Sequence, residues 1–253
     1  MAQLTRLYLD EPLRTGAALD LCGEKARYLG RVLRLRTGDQ IHVFNGRDGE
    51  FAGELTAFAK RRVEVTIGEC VVAPESAPAE SPLRLHIVQG ISRGERMDTV
   101  VQKTTELGIK RITPVFTRHG AVRLDAPRAA KRLEHWQRVA ISATEQCGRL
   151  KPPLIDAPVD LNAWLGSSYE GQASTTQLLL DPRSDAAFTA ERSPIMKLCL
   201  LIGPEGGFAK REIEDAEIAG FRTIGMGPRV LRTETAAIAA VAIAQALFGD
   251  FAA

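Results

Sequence analysis

The hydrophobic positions along this chain change their spacing near residue 80. Before that point apolar and polar residues alternate in short runs, as in Arg6-Leu7-Tyr8-Leu9, Gln40-Ile41-His42-Val43-Phe44 and Arg62-Val63-Glu64-Val65-Thr66-Ile67. Alternation suits strands with one face in a core, and Asn45-Gly46-Arg47-Asp48-Gly49 supplies turn residues between two of the runs. This part is expected to form a small β-barrel. Beyond residue 80, apolar runs at 83–88, 112–116, 177–180 and 198–202 alternate with helical patterns at 97–107, 128–146, 212–219 and 235–248. Strands alternating with helices predict an α/β fold with a mainly parallel sheet covered by helices.

Between the two patterns, Val71 to Pro82 carries three prolines among small polar residues. Such residues punctuate rather than propagate secondary structure. The expected division is therefore a domain over residues 1–72, a linker over 73–82 and a second domain over 83–253.

Two helical segments stand out by composition. Arg27, Arg31 and Arg34 fall at helical spacing opposite a stripe that includes Leu29, Val32 and Leu33. Three guanidinium groups on one face are either a solvated surface or a phosphate-docking site, for which the planar donor fork of arginine is suited. The last segment, Ala236 to Ala244, contains only alanine, isoleucine and valine, so it has almost no polar face and is expected to be buried nearly all round. A monomer core and a subunit contact both satisfy that requirement.

The chemistry concentrates in two glycine-rich turns, each following an apolar, strand-like run. The first is Gly203-Pro204-Glu205-Gly206-Gly207-Phe208, after Ile202; the second opens with Gly225-Met226-Gly227-Pro228-Arg229-Val230-Leu231-Arg232 and runs into Thr233-Glu234-Thr235. Turns at the ends of neighbouring strands leave main-chain groups pointing into one crevice, where open α/β sheets hold ligands. Neither turn carries the Gly-Lys-Ser/Thr of a phosphate-cradling loop, and neither completes Gly-x-Gly-x-x-Gly. A nucleoside triphosphate or a dinucleotide is thus disfavoured. The ligand expected is a nucleoside-like cofactor gripped by main-chain groups, which S-adenosylmethionine fits.

Composition narrows the remaining classes. The 253 residues are 45% hydrophobic and 25% charged, ordinary for a folded globular protein. Cys22, Cys70, Cys147 and Cys199 are scattered without a zinc-type spacing, and are expected to be reduced thiols of a cytoplasmic protein that binds no metal. No signal sequence opens the chain, and its apolar runs fall far short of the roughly 20 residues that span a bilayer, so no membrane association is expected. The net charge of +2 is too small for nucleic acid to be held by overall charge, so any RNA site must be a local patch.

The two turns closely resemble the paired signatures of the SPOUT methyltransferases, and specifically the RsmE-type 16S ribosomal RNA uracil-N3 methyltransferases. Val43-Phe44-Asn45-Gly46, Gln102-Lys103-Thr104-Thr105-Glu106-Leu107-Gly108 and Ala143-Thr144-Glu145-Gln146-Cys147-Gly148-Arg149 are similar to that family in the same order. Departures are small: Met226 stands where leucine is usual and Cys147 where serine is common. The resemblance implies a PUA-like RNA-binding N-terminal domain that uses Arg27, Arg31 and Arg34, and a SPOUT domain whose C-terminal segment threads a deep trefoil knot. It also implies a homodimer acting on 16S rRNA, alone or within the small ribosomal subunit, to give 3-methyluridine.

On that reading the S-adenosylmethionine site comprises Leu180 at a strand end, Ile202 with Gly203, Pro204, Glu205, Gly206 and Gly207, and Met226, Gly227, Arg229, Val230, Leu231 and Thr235 of the second turn. Methyl transfer needs mainly alignment of donor and acceptor, but uracil N3 becomes a good nucleophile only as its proton leaves. Arg232 is the expected stabiliser of the developing anion, with Glu234 orienting Arg232 or the base, and Glu145 an alternative proton acceptor. Arg232 with Glu234 as a plain ion pair, Glu205 as a helix-dipole carboxylate, and Lys103 with Glu106 as a surface pair are the structural alternatives. Of the four histidines only His119 lies in a loop near a strand end.

Overall fold

A computed structural model describes residues 4–59, 62–76, 79–167, 174–189 and 195–251. The chain divides into two compact units, Met1–Glu80 with Thr144–Lys151, and Ser81–Ala143 with Pro152–Ala253.

The first unit contains β1 (Arg6–Tyr8), β2 (Ala18–Cys22), α1 (Gly23–Arg27), a π-helical turn at Tyr28–Val32, β3 (Gln40–Phe44), β4 (Glu50–Ala59) and β5 (Arg62–Val72). The strands form one five-stranded sheet in the order β1-β3-β4-β5-β2. Register shifts between β4 and β5 add local twist, and the sheet curls into a half-barrel around Leu29, Ile41, Val43, Leu55 and Val65. β4 escapes the sequence pattern because Ala52, Gly53, Ala57 and Ala59 dilute its alternation, although Phe51 and Leu55 still point inward.

Arg6 explains why a distant segment joins this unit. Its guanidinium forks onto Glu50, at 3.1 Å through Nε and 2.7 Å through Nη2, and sits 4.5 Å above the Phe44 ring. It also donates to the carbonyls of Thr144, Glu145 and Arg149 at 2.8 to 3.1 Å, closing the C-terminal end of a helix whose last carbonyls lack intrahelical partners. Arg149 is itself buried and paired with Glu80 at 3.1 Å. The unit therefore runs past residue 72 to Glu80 and draws in Thr144–Lys151. Of the expected linker, residues 74–76 make a short 3-10 turn, and 77–78 lie outside the described residues.

The second unit is a three-layer α/β/α structure. Its elements are β6 (Arg84–Gly90), α2 (Arg96–Glu106), β7 (Arg111–Phe116), α3 (Ala126–Cys147, whose last residues belong to the first unit), β8 (Leu154–Ile155), β9 (Val159–Asp160), α4 (Leu161–Leu165), β10 (Thr176–Leu180), β11 (Lys197–Ile202), α5 (Lys210–Ile218), β12 (Arg222–Ile224) and α6 (Thr233–Phe248). The sheet order is β12-β10-β11-β6-β7-β8, with β9 beside β7, and every ladder is parallel. Successive residues of β11 face opposite layers: Leu198, Leu200 and Ile202 pack with Val100 and Val101 of α2, Trp136 of α3 and Ala237 of α6, whereas Cys199 and Leu201 pack with Leu161 and Ala216 of α4 and α5. Burial on both faces is why these strands read as unbroken apolar runs.

α6 is not buried all round. Ala237, Ala240, Val241, Ala244 and Gln245 face the core, and Gln245 bonds the Leu107 carbonyl at 2.7 Å and the Ser81 hydroxyl at 2.8 Å. Ile238, Ala239, Ala242 and Ile243 are only half-buried, and Leu247 is exposed. The chain thus leaves one apolar side of its last helix partly uncovered.

Candidate active site

The two glycine-rich turns open from the C-terminal ends of β11 and β12. These strands are not neighbours: β10 lies between them, pairing with both. The crevice therefore has three walls, and the middle one is the loop after β10, Asp181-Pro182-Arg183, which the sequence reading missed. Together these loops line a cavity of about 710 Å³, within the range of small-molecule sites.

Close backbone approach shapes the cavity. Gly90 ends β6 directly under the first turn, where a Cβ would collide with the Pro204 ring and fall 2.5 Å from its nitrogen. A Cβ on Gly206 would meet the His119 carbonyl at 2.9 Å, and one on Gly225 would collide with the Ser184 carbonyl. Gly207 has φ +65° and Gly227 φ +85°, with no atom within 4 Å of a built Cβ, so these two turn their bare faces to open space.

A buried amide ties the turns to each other. Nε2 of Gln89, at the end of β6, donates to the Thr233 hydroxyl at 2.9 Å, and that hydroxyl donates to the Gly203 carbonyl at 2.7 Å. Thr233 is the first residue of α6, so the start of the last helix is fastened to the start of the first turn. The third wall is fixed locally: Arg183 forks onto Asp181 at 2.9 and 2.7 Å while its amide also donates to Asp181. These hydrogen bonds from Arg183 hold the Asp181 carboxyl below the usual carboxylate range.

The predicted residues separate clearly. Leu180, Ile202, Gly203, Pro204, Glu205, Gly206, Gly207, Met226, Arg229, Val230, Leu231, Arg232 and Glu234 all line the cavity, while Gly227, Thr235 and Glu145 do not. Glu145 belongs to the first unit, where its carboxylate accepts the Tyr8 amide at 2.9 Å. Burial pushes its carboxyl up, against the lowering effect of that amide and of Lys25 and Arg6. Arg232 stands at the N-cap position of α6 with its side chain exposed and, like Arg229, enters no ion pair among the described residues. Glu234 instead faces Arg96, which also holds Glu205, so among the described residues Glu234 neither orients Arg232 nor forms with it the ion pair weighed as the alternative. His119 also lines the cavity, with Nδ1 3.3 Å from the Gly206 carbonyl.

Lys103 and Glu106 form a surface pair at 2.9 Å, as helix spacing suggests. The arginine stripe is only partly helical. Arg27 ends α1 and Arg31 lies in the π-helical turn, both exposed, but Arg34 lies beyond the helix with φ 56°. The wider π turn shifts the helical register, and the chain leaves the helix before Arg34 can share the face. Val32, expected in the apolar stripe, is 65% exposed.

Residues 79–245 match the model of an RNA methyltransferase domain, and residues 21–68 that of an RNA methyltransferase PUA domain. The chain is 34% identical to ribosomal RNA small subunit methyltransferase E of Buchnera aphidicola subsp. Schizaphis graminum, over 98% of both chains. The chain belongs to the ribosomal RNA small subunit methyltransferase E family. Two solved structures resemble this family member along their whole length. A methyltransferase of Legionella pneumophila, in complex with SAM, superposes with a TM-score of 0.91 at 37% identity, covering 99% of this chain and 100% of that one. Ribosomal RNA small subunit methyltransferase E of Neisseria gonorrhoeae, bound to S-adenosyl methionine, gives 0.87 at 36% identity, with coverage of 98% and 100%. The family's two domains thus coincide with the half-barrel and the parallel sheet.

Proposed function

We propose that this protein methylates N3 of a uridine in 16S ribosomal RNA of the small subunit, taking the methyl group from S-adenosylmethionine. The observation that carries the reading is the three-walled cavity at the C-terminal ends of β10, β11 and β12. Its apolar lining, from Leu180, Ile202, Ile224, Met226 and Leu231, suits a nucleoside base, and the bare face of Gly207 leaves room beside the main chain for a ligand. Nothing in the lining resembles a phosphate cradle, in keeping with a cofactor that carries none. The cofactor supplies an electrophilic methyl group. The chain supplies alignment and charge: the turns hold the donor, and Arg232, exposed at the rim, stabilises the negative charge that develops on the uracil ring as its N3 proton leaves.

Arg27 and Arg31, with the half-barrel matched by the PUA model, bind RNA phosphates, and Arg34 contributes from outside the helix. The uncovered side of α6, Ile238, Ala239, Ala242 and Ile243, is apolar enough to meet a second copy, which supports a homodimer. Family membership supports a knotted C-terminal segment and a cytoplasmic site of action. No helix among the described residues is long and apolar enough to cross a membrane, and no metal-binding cluster occurs among them.

The test is methylation of small subunits and of free 16S rRNA from cells lacking this protein, with nucleosides identified by mass spectrometry. The reading requires 3-methyluridine at a single position. A different methylated nucleoside would replace the assigned base, and no methylated product would remove the activity.

A further inference from the structure

One guanidinium faces a carboxylate from the first glycine-rich turn and another from the first turn of α6. Arg96, the first residue of α2, donates through Nη1 to Oε1 of Glu205 at 2.5 Å, while its Nε lies 3.9 Å from Oε2 of Glu234. The first contact is a charge-assisted hydrogen bond. The second is too long for one, so it attracts without occupying a lone pair. The same Oε1 of Glu205 also accepts the Arg93 amide at 2.9 Å, which fixes the carboxylate that Arg96 meets. Oε2 of Glu234 is buried and has no hydrogen-bond partner among the described residues. Oε2 thus faces only the Arg96 charge, while Oε1 enters no hydrogen bond among the described residues and belongs to a residue that lines the cavity, so Oε1 is the oxygen open to a ligand.

We propose that Arg96 is a positioning residue that holds Glu234 at the cavity wall by its Oε2 side, so that Oε1 of Glu234 takes the proton from the nucleobase nitrogen being methylated. This rests on the methyltransferase reading above and deepens it. As the proton passes from N3 to Oε1 of Glu234, the nitrogen lone pair forms the new bond to the methyl carbon. The carbon–sulfur electron pair stays on sulfur, leaving a neutral thioether, and Glu234 later loses its proton to water. The other charged groups lining the cavity are Arg232, Arg229, His119 and the Asp181–Arg183 pair. Asp181 is saturated by Arg183, whereas Glu234 has only the long contact to Arg96, so Glu234 is the carboxylate with basic capacity to spare.

Single-turnover rates across RNA concentration, beside calorimetric titration with S-adenosylhomocysteine, test the assignment in Arg96→Ala, Arg96→Lys, Glu205→Ala and Glu234→Gln. Glu234→Gln should lose about a hundredfold in rate, and Arg96→Ala about tenfold, with S-adenosylhomocysteine still bound. In Arg96→Ala the loss should fall on the maximal rate and not on the RNA concentration for half-saturation, because Glu234 still lines the cavity but is no longer held for proton transfer. Glu205→Ala should lose less, since Arg96 still faces Glu234, and Arg96→Lys should restore part of the rate by returning a cation beside Oε2. A full rate in Glu234→Gln overturns the proton-acceptor role. A loss in Arg96→Ala that appears as weaker RNA or S-adenosylhomocysteine binding, or that Arg96→Lys does not restore, makes Arg96 a structural clamp and overturns the positioning role. Wild-type protein that binds no S-adenosylhomocysteine fails the functional reading itself.

Discussion

The hydroxyl of Thr233 donates to the carbonyl of Gly203 at 2.7 Å, joining the first residue of the last helix to the first residue of the glycine turn 30 positions before it. The same hydroxyl accepts from Gln89, which is fully buried. Thr233→Val keeps the shape and removes both bonds, leaving a buried amide and a carbonyl short of partners. The cost should be about 1–3 kcal/mol in urea denaturation, with weaker S-adenosylhomocysteine binding measured by calorimetry. A variant as stable and as tight as wild type would show that the bond does not organise the cavity.

Gly90 makes a sharper demand on space. A methyl group there meets the ring and nitrogen of Pro204, so Gly90→Ala must displace the first turn. Overpacking against backbone should cost about 1–3 kcal/mol and weaken cofactor binding more than Gly16→Ala, where a Cβ meets nothing within 4 Å. Comparable cofactor affinity in the two variants would contradict this.

Buried polar groups within the sheet set an acid limit on stability. His86 bonds the Thr113 hydroxyl at 2.8 Å, Thr113 bonds Asp156, and Arg111 forks onto Asp156 at 2.8 and 3.0 Å. Burial first, then the Arg111 charge, lowers His86 from 6.5 to about 4. Between those values the unfolded chain binds a proton that the folded chain refuses, so stability is full above pH 6.5 and falls as pH drops toward 4. The loss should approach about 3 kcal/mol at the lower end, read from urea midpoints, and shrink in His86→Gln. Identical pH profiles for the two proteins would remove His86 as the cause.

Much of this architecture was legible because glycine and apolar runs act locally. The strands ending at Leu180 and Ile202 and the two turns could be placed from spacing alone. What escaped depends on partners distant in sequence. Arg96 meets Glu205 and Glu234 only after β6 and β11 pair, and β10 separates the two turns through a strand order that no spacing encodes. Arg6 drawing Thr144–Lys151 into the first unit is of the same kind. Arg34 leaves the helical face for a local reason: the π turn at Tyr28–Val32 breaks the helical periodicity on which the stripe depends.

For the basic patch, Arg27→Gln with Arg31→Gln should weaken RNA binding and reduce the salt slope of log K by about 1.5, with S-adenosylhomocysteine affinity unchanged. Arg34→Gln, projecting from outside the helix, should act separately and add to the double variant. Filter binding across a salt series reads both, and an unaltered slope in the double variant would make the exposed arginines mere solvated surface.

The central claim is that the loops after β10, β11 and β12 enclose a site for S-adenosylmethionine. Calorimetric titration of the purified protein with S-adenosylmethionine tests it most directly. The account predicts saturable binding with one ligand per chain, competed by S-adenosylhomocysteine and weakened by Gly90→Ala. Absence of heat together with absence of competition would contradict it.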